Sequence, residues 1–385
     1  MPVNTVWGLA LNNALAMPPA YEGTQGFFPI EHDRLVAYEL NAGTQQWIVT
    51  ARPVAAPAAG GGLVFLVEPD TLKALHGSDG SVAWELPFAE ALAVPPVWDN
   101  GWLIIGTSSG EIRAYRAVDG ELIWRRDVQS PPHASPALAA DRVYIPTADG
   151  RIVALLVENG EPVWERRLGG AVNDILALEH RIYAGSQDNF FYCVMARDGR
   201  VDWRWRTGAD VIGKPVADER YVYFVALDNV LRAMNLVTGG QQWMRPLPIR
   251  PVFGAAKAGS TIVVSGQTAT VHAFNIKDGS AAGTLTGVAT QPPAAPAADA
   301  DSAPPAPPAF ASLAPDAQVA AAPYVLEDPL TAAPLLLMLF KDIVKGASAT
   351  LVKHSVEPAL VNQVSPLPNL IQIAPVTPTT PPPGP

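Results

Sequence analysis

The sequence predicts an all-β chain wound as an eight-bladed β-propeller of four-stranded antiparallel blades, closed by an N-terminal strand that joins strands from the C-terminal part. Three observations lead there. A glycine followed four residues later by tryptophan recurs at Gly43/Trp47, Gly80/Trp84, Gly120/Trp124, Gly160/Trp164, Gly199/Trp203 and Gly239/Trp243, with successive tryptophans 37, 40, 40, 39 and 40 residues apart. Six residues before each glycine stands a small residue: Ala37, Ala74, Ala114, Ala154, Cys193 and Ala233, with Ala273 before the seventh glycine, Gly279. Trp7 precedes Trp47 by 40 residues and has no repeat before it. Periods of this length, each holding several short strands, are the unit of a propeller blade.

In chain order, Thr5-Val6-Trp7-Gly8-Leu9 reads as an outer strand without a blade of its own. Each period then begins with β-branched and aromatic runs, such as Arg142-Val143-Tyr144-Ile145 and Tyr221-Val222-Tyr223-Phe224. Ser109-Gly110, Asp149-Gly150, Asp188-Asn189 and Asp228-Asn229 follow, dipeptides suited to two-residue hairpins that require positive φ. The strand after the turn carries the small slot, which marks close packing against a neighbouring sheet. Cys193, the single cysteine, occupies that slot and reads as a buried structural thiol. The seventh period keeps Gly279 but has Gly283 in the tryptophan position.

Residues 1–287 thus hold the N-terminal strand and blades 1–7. Residues 288–322 are a Pro/Ala-rich low-complexity insertion, expected to be extended or disordered. Excising it restores the 40-residue period to within one residue if the turn at Lys345-Gly346 matches Ala269 of the seventh period. Residues 323–355 therefore complete a closing blade, through the runs Pro323–Leu326, Leu335–Phe340 and Ser348–Val352. An orphan Trp7 strand supplies its fourth member and leaves no open sheet edge. A seven-bladed ring is the alternative, and it leaves Trp7 without a partner. Residues 356–385 form a Pro-rich tail.

The composition narrows function. With 36 acidic and 26 basic residues the formal charge is −10, which argues against a nucleic-acid partner. One cysteine excludes an internal disulfide framework and a Cys-based zinc cluster. The most apolar run, Leu335–Phe340, is far short of the roughly 20 residues of a membrane helix, so no membrane span is expected. The N-terminus has no basic region followed by an apolar one, so no signal peptide is read in the chain as written.

The segment Ala114-Tyr-Arg-Ala-Val-Asp-Gly-Glu-Leu-Ile-Trp124 and its counterparts resemble the pyrroloquinoline quinone (PQQ)-like repeat of quinoprotein-type propellers, over about residues 30–287. In that family the tryptophan docks between adjacent blades, so the motif speaks for packing. The resemblance raises two functions. One is a PQQ-dependent dehydrogenase of alcohols or sugars, with PQQ and calcium as cofactors. The other is a non-catalytic binding or assembly scaffold with a protein partner and no cofactor, similar to envelope lipoproteins that assist outer-membrane protein assembly. Short loops and the absence of a second cysteine favour the scaffold, as a monomer, with periplasm or cell envelope implied by the resemblance. No position matches a catalytic aspartate or a calcium ligand, and no metal site is assigned.

Candidate site residues lie where loops open on the channel face. Loops leading into the innermost strands supply His133, Asn173, Asp174, Asp210, Lys214 and Arg250; the hairpin turns supply Asp149, Asp188, Asn189, Asp228 and Asn229. A ring of carboxylates and amides suits calcium, but turn chemistry alone explains the hairpin residues. His133, Asp174, Asp210, Lys214 and Arg250 are not dictated by turn geometry and remain the channel-face candidates for binding. The structural repeat residues are Trp7, Trp47, Trp84, Trp124, Trp164, Trp203 and Trp243.

Overall fold

The computed structural model describes residues 4–11, 13–286, 317–327, 332–341 and 349–355. Among them there is no helix, and eight antiparallel sheets form a closed ring. Blades 1–7 span residues 20–50, 58–87, 97–127, 137–167, 172–206, 211–246 and 256–286, each a simple four-stranded meander. Blade 8 is assembled from both ends of the described chain. Its outer strand Asn4–Ala10 pairs with Thr350–Ser355, which pairs with Pro334–Lys341. The ring therefore has eight blades, as the orphan tryptophan required.

The closing blade begins earlier than the sequence indicates. Gln318–Val319 lies inside the stretch read as low complexity, yet it pairs with Lys341 and Phe340. Tyr324–Glu327 pairs further along the same edge, so the two short strands form one interrupted inner strand. The register also differs by three residues. Trp7 lies opposite Lys353, as Gly283 lies opposite Ala273 and Trp243 opposite Ala233. The small slot of blade 8 is thus Lys353, and Ala349, not Gly346, matches Ala269. The turn expected at Lys345-Gly346 falls outside the described residues, as do 288–316 and the tail 356–385.

Why these residues build blades is visible in the register. In blades 1–6 the small residue faces its own tryptophan, as Ala114 faces Trp124 and Cys193 faces Trp203, and a bulge follows at the next residue. Bulges sharpen the local twist, and each blade's outer strand turns toward its neighbour. There the indole lies over the next blade's glycine turn. Trp124 stacks on Gly160 and donates its Nε1–H to the Val157 carbonyl at 2.6 Å. Gly160 has φ +70°, and a Cβ added there would meet the Trp124 ring at 2.6 Å, so the turn and the close approach both require glycine. The hairpin turns also take the conformation their residues favour: φ is +83° at Gly150, +62° at Asn189 and +59° at Asn229.

Trp47, Trp84, Trp164, Trp203 and Trp243 make the same clamp on Gly77, Ala117, Ala196, Leu236 and Ile276 carbonyls. The hydrophobic core is correspondingly divided into eight clusters, one at each junction between blades. The junction of blades 7 and 8 has Gly283 where a tryptophan would stand. A clamp needs a glycine turn on the next blade, and the last two strands of blade 8 are not joined by a turn. Leu336, Met338, Phe340 and Val352 fill that junction instead.

The junction of blades 8 and 1 keeps the indole clamp, with Trp7 over the Gly43 turn, and adds further contacts. Trp7 is buried and donates to the Asn41 carbonyl at 3.0 Å. The Lys353 ammonium donates to the same carbonyl at 3.1 Å. Tyr21 of blade 1 stacks on Tyr324 of blade 8, with ring centroids 4.2 Å apart.

Candidate channel-face site

The loops leading into blades 4–7 and the hairpin turns of blades 4–6 open on one face. His133 Nε2 lies 3.1 Å from Gln187 Nε2, which donates to Asn173 Oδ1 at 3.0 Å, and Asn173 Nδ2 donates to the Val211 carbonyl at 2.9 Å. This chain crosses blades 4, 5 and 6 and brings His133 and Asn173 together. Gln187 escaped the sequence reading because a glutamine beside a hairpin carries no motif.

Asp174 stands on the inner strand of blade 5, where the pairing skips from Val172 to Asp174. Burial pushes its carboxyl up to about 6, against the opposing pull of the Ile175 N–H, which it accepts at 2.9 Å, and of the Lys214 charge. Lys214 is exposed on the inner strand of blade 6. Asp210 and Arg250 stay apart from this group. The Asp210 main-chain carbonyl accepts the Leu227 N–H at 2.9 Å, and Arg250 is exposed. Among the described residues neither side chain makes a hydrogen bond or ion pair.

The hairpin carboxylates are engaged in or beside their own blades. Asp149 accepts from Thr147 Oγ1 at 2.6 Å, from Arg151 Nε at 2.7 Å and from Arg167 Nη2 at 3.0 Å. Burial works against its ionisation, but these partners outweigh it and hold the carboxyl below the usual range. Asp228 is likewise held low, against burial, by Arg232 and by the Gly208 N–H at 2.8 Å. Asp188 accepts from the Phe190 N–H at 3.1 Å and from the Tyr192 hydroxyl. Among the described residues no three His, Cys, Asp or Glu side chains converge as a metal site. Nor is any helix long and apolar enough to cross a membrane.

Seven indole clamps on an eightfold ring define a PQQ-type repeat propeller. A family model described as outer membrane protein assembly factor BamB matches residues 4–178 and 176–304, and the chain belongs to that family. Solved structures agree on the fold. BamB from Moraxella catarrhalis is 18% identical, with a TM-score of 0.67 over 92% of this chain and 98% of that one. The computationally designed Ika8 protein is 12% identical, with a TM-score of 0.68 over 90% of this chain and 99% of that one. Quinohemoprotein alcohol dehydrogenase ADHIIG from Pseudomonas putida HK5 is 12% identical, with a TM-score of 0.65 over 92% of this chain and 76% of that one. No curated protein matches the chain significantly.

Proposed function

We propose that this chain is a non-catalytic docking scaffold of the cell envelope, a monomer that presents blade edges to an extended segment of a partner protein and takes no nucleic acid. The observation that carries the reading is how the outer edges are guarded. Every blade ends in an edge strand, and natural sheets protect such edges with charge or proline. The outer strands of blades 2–6 all carry charge, as in LIWRRD, PVWERR and VDWRWR, and those of blades 2, 4 and 6 add Pro87, Pro162 and Pro246. The outer strands of blades 7, 8 and 1 read AAGTLT, NTVWGLA and TQQWIVT, with neither charge nor proline. These three blades are consecutive around the ring. An unguarded, contiguous set of edges suits strand addition, in which backbone hydrogen bonds supply affinity. Membership of a family described as an assembly factor supports the same reading.

The dehydrogenase reading would need calcium oxygens and a quinone pocket on the channel face. Asp149, Asp188 and Asp228 are each committed to partners in or beside their own turns. This donor set does not fit calcium-bound PQQ.

Photo-crosslinking residues placed at Val6, Gln46 and Thr284 test the docking reading in cells, with Arg125 and Arg204 as controls. A protein adduct at the first three positions, lost when a neighbouring edge residue is changed to lysine, is expected. Adducts confined to the controls, or reduction of an artificial acceptor by alcohols or sugars after loading with PQQ and calcium, would overturn it.

A further inference from the structure

We propose that the channel wall between blades 5 and 8 holds a binding site for a small apolar monoanion, a carboxylate on a compact hydrophobic body. A cavity of about 420 Å³ opens there, lined by Leu176, Val216, Ala255 and Val325, with Lys214 and Lys257 beside them. Its size falls within the roughly 300–1,000 Å³ of small-molecule sites, and apolar walls with a few polar groups are their usual make-up.

The cavity arises where the inner strands stop being regular. In blade 6 the pairing runs from Ile212 to Val216, skipping Gly213, Lys214 and Pro215. Gly213 has φ +64°, and a Cβ there would meet the Gly254 nitrogen at 2.1 Å, so the backbone of blade 6 at this bulge touches the loop entering blade 7. In blade 8, residues 320–323 lie between the two pieces of the interrupted inner strand. Ala322 and Pro323 from that interruption complete the wall.

The charge of the cavity sets its ligand class. Among the described residues neither Lys214 nor Lys257 makes a hydrogen bond or ion pair, in a chain of net charge −10. Asp218 feels the Lys257 charge, yet its oxygens accept from the Tyr223 hydroxyl and from the Arg220 and Tyr221 N–H groups, each at 2.7 Å. Asp174 faces Lys214 from blade 5, and the Ile175 N–H bonds one of its oxygens. His133, in the loop entering blade 4, is linked through Gln187 to Asn173, the residue before Asp174. Two ammonium groups without a bound acceptor, over an apolar floor, match one carboxylate and its hydrophobic body. When Asp174 is protonated, Lys214 loses a competing anion, so binding tightens as pH falls through about 6.

Isothermal titration of the full chain with a panel of aryl- and alkyl-carboxylates such as 4-phenylbutyrate, beside the matching amides, tests the site. The acids bind and the amides do not. Lys214→Met and Lys257→Met each weaken binding by about tenfold, the scale of one charge-assisted hydrogen bond. Asp174→Asn tightens binding at neutral pH and flattens its pH dependence. Val216→Trp, which keeps both lysines and fills the cavity, abolishes binding while circular dichroism confirms the fold. Equal binding of acid and amide, lysine variants that bind as the wild type does, or no heat from any acid at millimolar concentration would each overturn the proposal. The outer edges play no part, so failure here leaves the docking reading standing.

Discussion

Replacing Gly160 by alanine should cost far more than the same change at Gly43, although both glycines occupy the same turn position with φ near +70°. The shared backbone component is about 1–2 kcal/mol for a residue with a side chain in the left-handed region. At Gly43 little else is added, because a Cβ would lie 3.4 Å from the Trp7 ring, an ordinary contact. At Gly160 the Cβ would lie 2.6 Å from Trp124, and the indole must move. Overpacking of this kind costs about 1–3 kcal/mol, and displacement also breaks the 2.6 Å bond to the Val157 carbonyl. The expected loss is about 3–5 kcal/mol for Gly160→Ala against about 1–2 kcal/mol for Gly43→Ala. Urea unfolding followed by far-UV circular dichroism reads both. In the Trp124→Ala background, Gly160→Ala should fall back to the backbone cost alone, a coupling that a double-mutant cycle isolates. Equal costs at the two glycines, or no coupling to Trp124, would refute the account of the clamp.

Deleting residues 1–16 removes Trp7 and the outer strand of blade 8, so stability should fall by at least the roughly 3–5 kcal/mol of one buried tryptophan; an unchanged urea midpoint would show that the ring does not need this strand. Asp174 favours its protonated form when folded, so its ionised carboxyl opposes folding above about pH 6, an effect that fades as pH falls toward the ordinary carboxylate range. Asp174→Asn should therefore stabilise the ring by up to about 3 kcal/mol in mild alkali and by nothing near pH 4, read from unfolding midpoints across pH. His354 is the opposite case: burial lowers its pKa to about 4, so the stability given by the neutral ring above its ordinary value is lost as pH falls from about 6.5 toward 4. His354→Gln should flatten that part of the stability profile. Burial pushes the Cys193 thiol up to about 12, so a thiol reagent should leave the native protein unlabelled at mildly alkaline pH and modify it fully in urea.

The ring was legible because its strongest constraint is local and repeated. A tryptophan, a glycine four residues before it and a small residue ten before it lie within one hairpin, so their spacing survives as a period. Blade 8 obeys the same register but spreads it over the two ends of the described chain, and a three-residue offset hid Lys353 in a slot that elsewhere holds alanine or cysteine. Nothing local marks that lysine, since its acceptor, the Asn41 carbonyl, is 312 residues away. The channel-face group was legible only in part. His133 and Asp174 stood out because turns do not require them, whereas the cavity between blades 5 and 8 depends on bulges at Gly213 and at residues 320–323, which leave no periodic signal.

The pairing of Trp7 with Lys353 joins residues 346 positions apart, and this has a consequence in time. At about 5–20 residues per second, roughly 20–70 s of synthesis separate the two residues on the ribosome. Through that interval Leu351 and Leu339, which pack against blade 1, do not yet exist, and Val36 and Tyr38 wait without the neighbours that cover them. The first blade made is the last to be covered, and its exposed face is the stage at which a nascent chain of this protein most needs shelter.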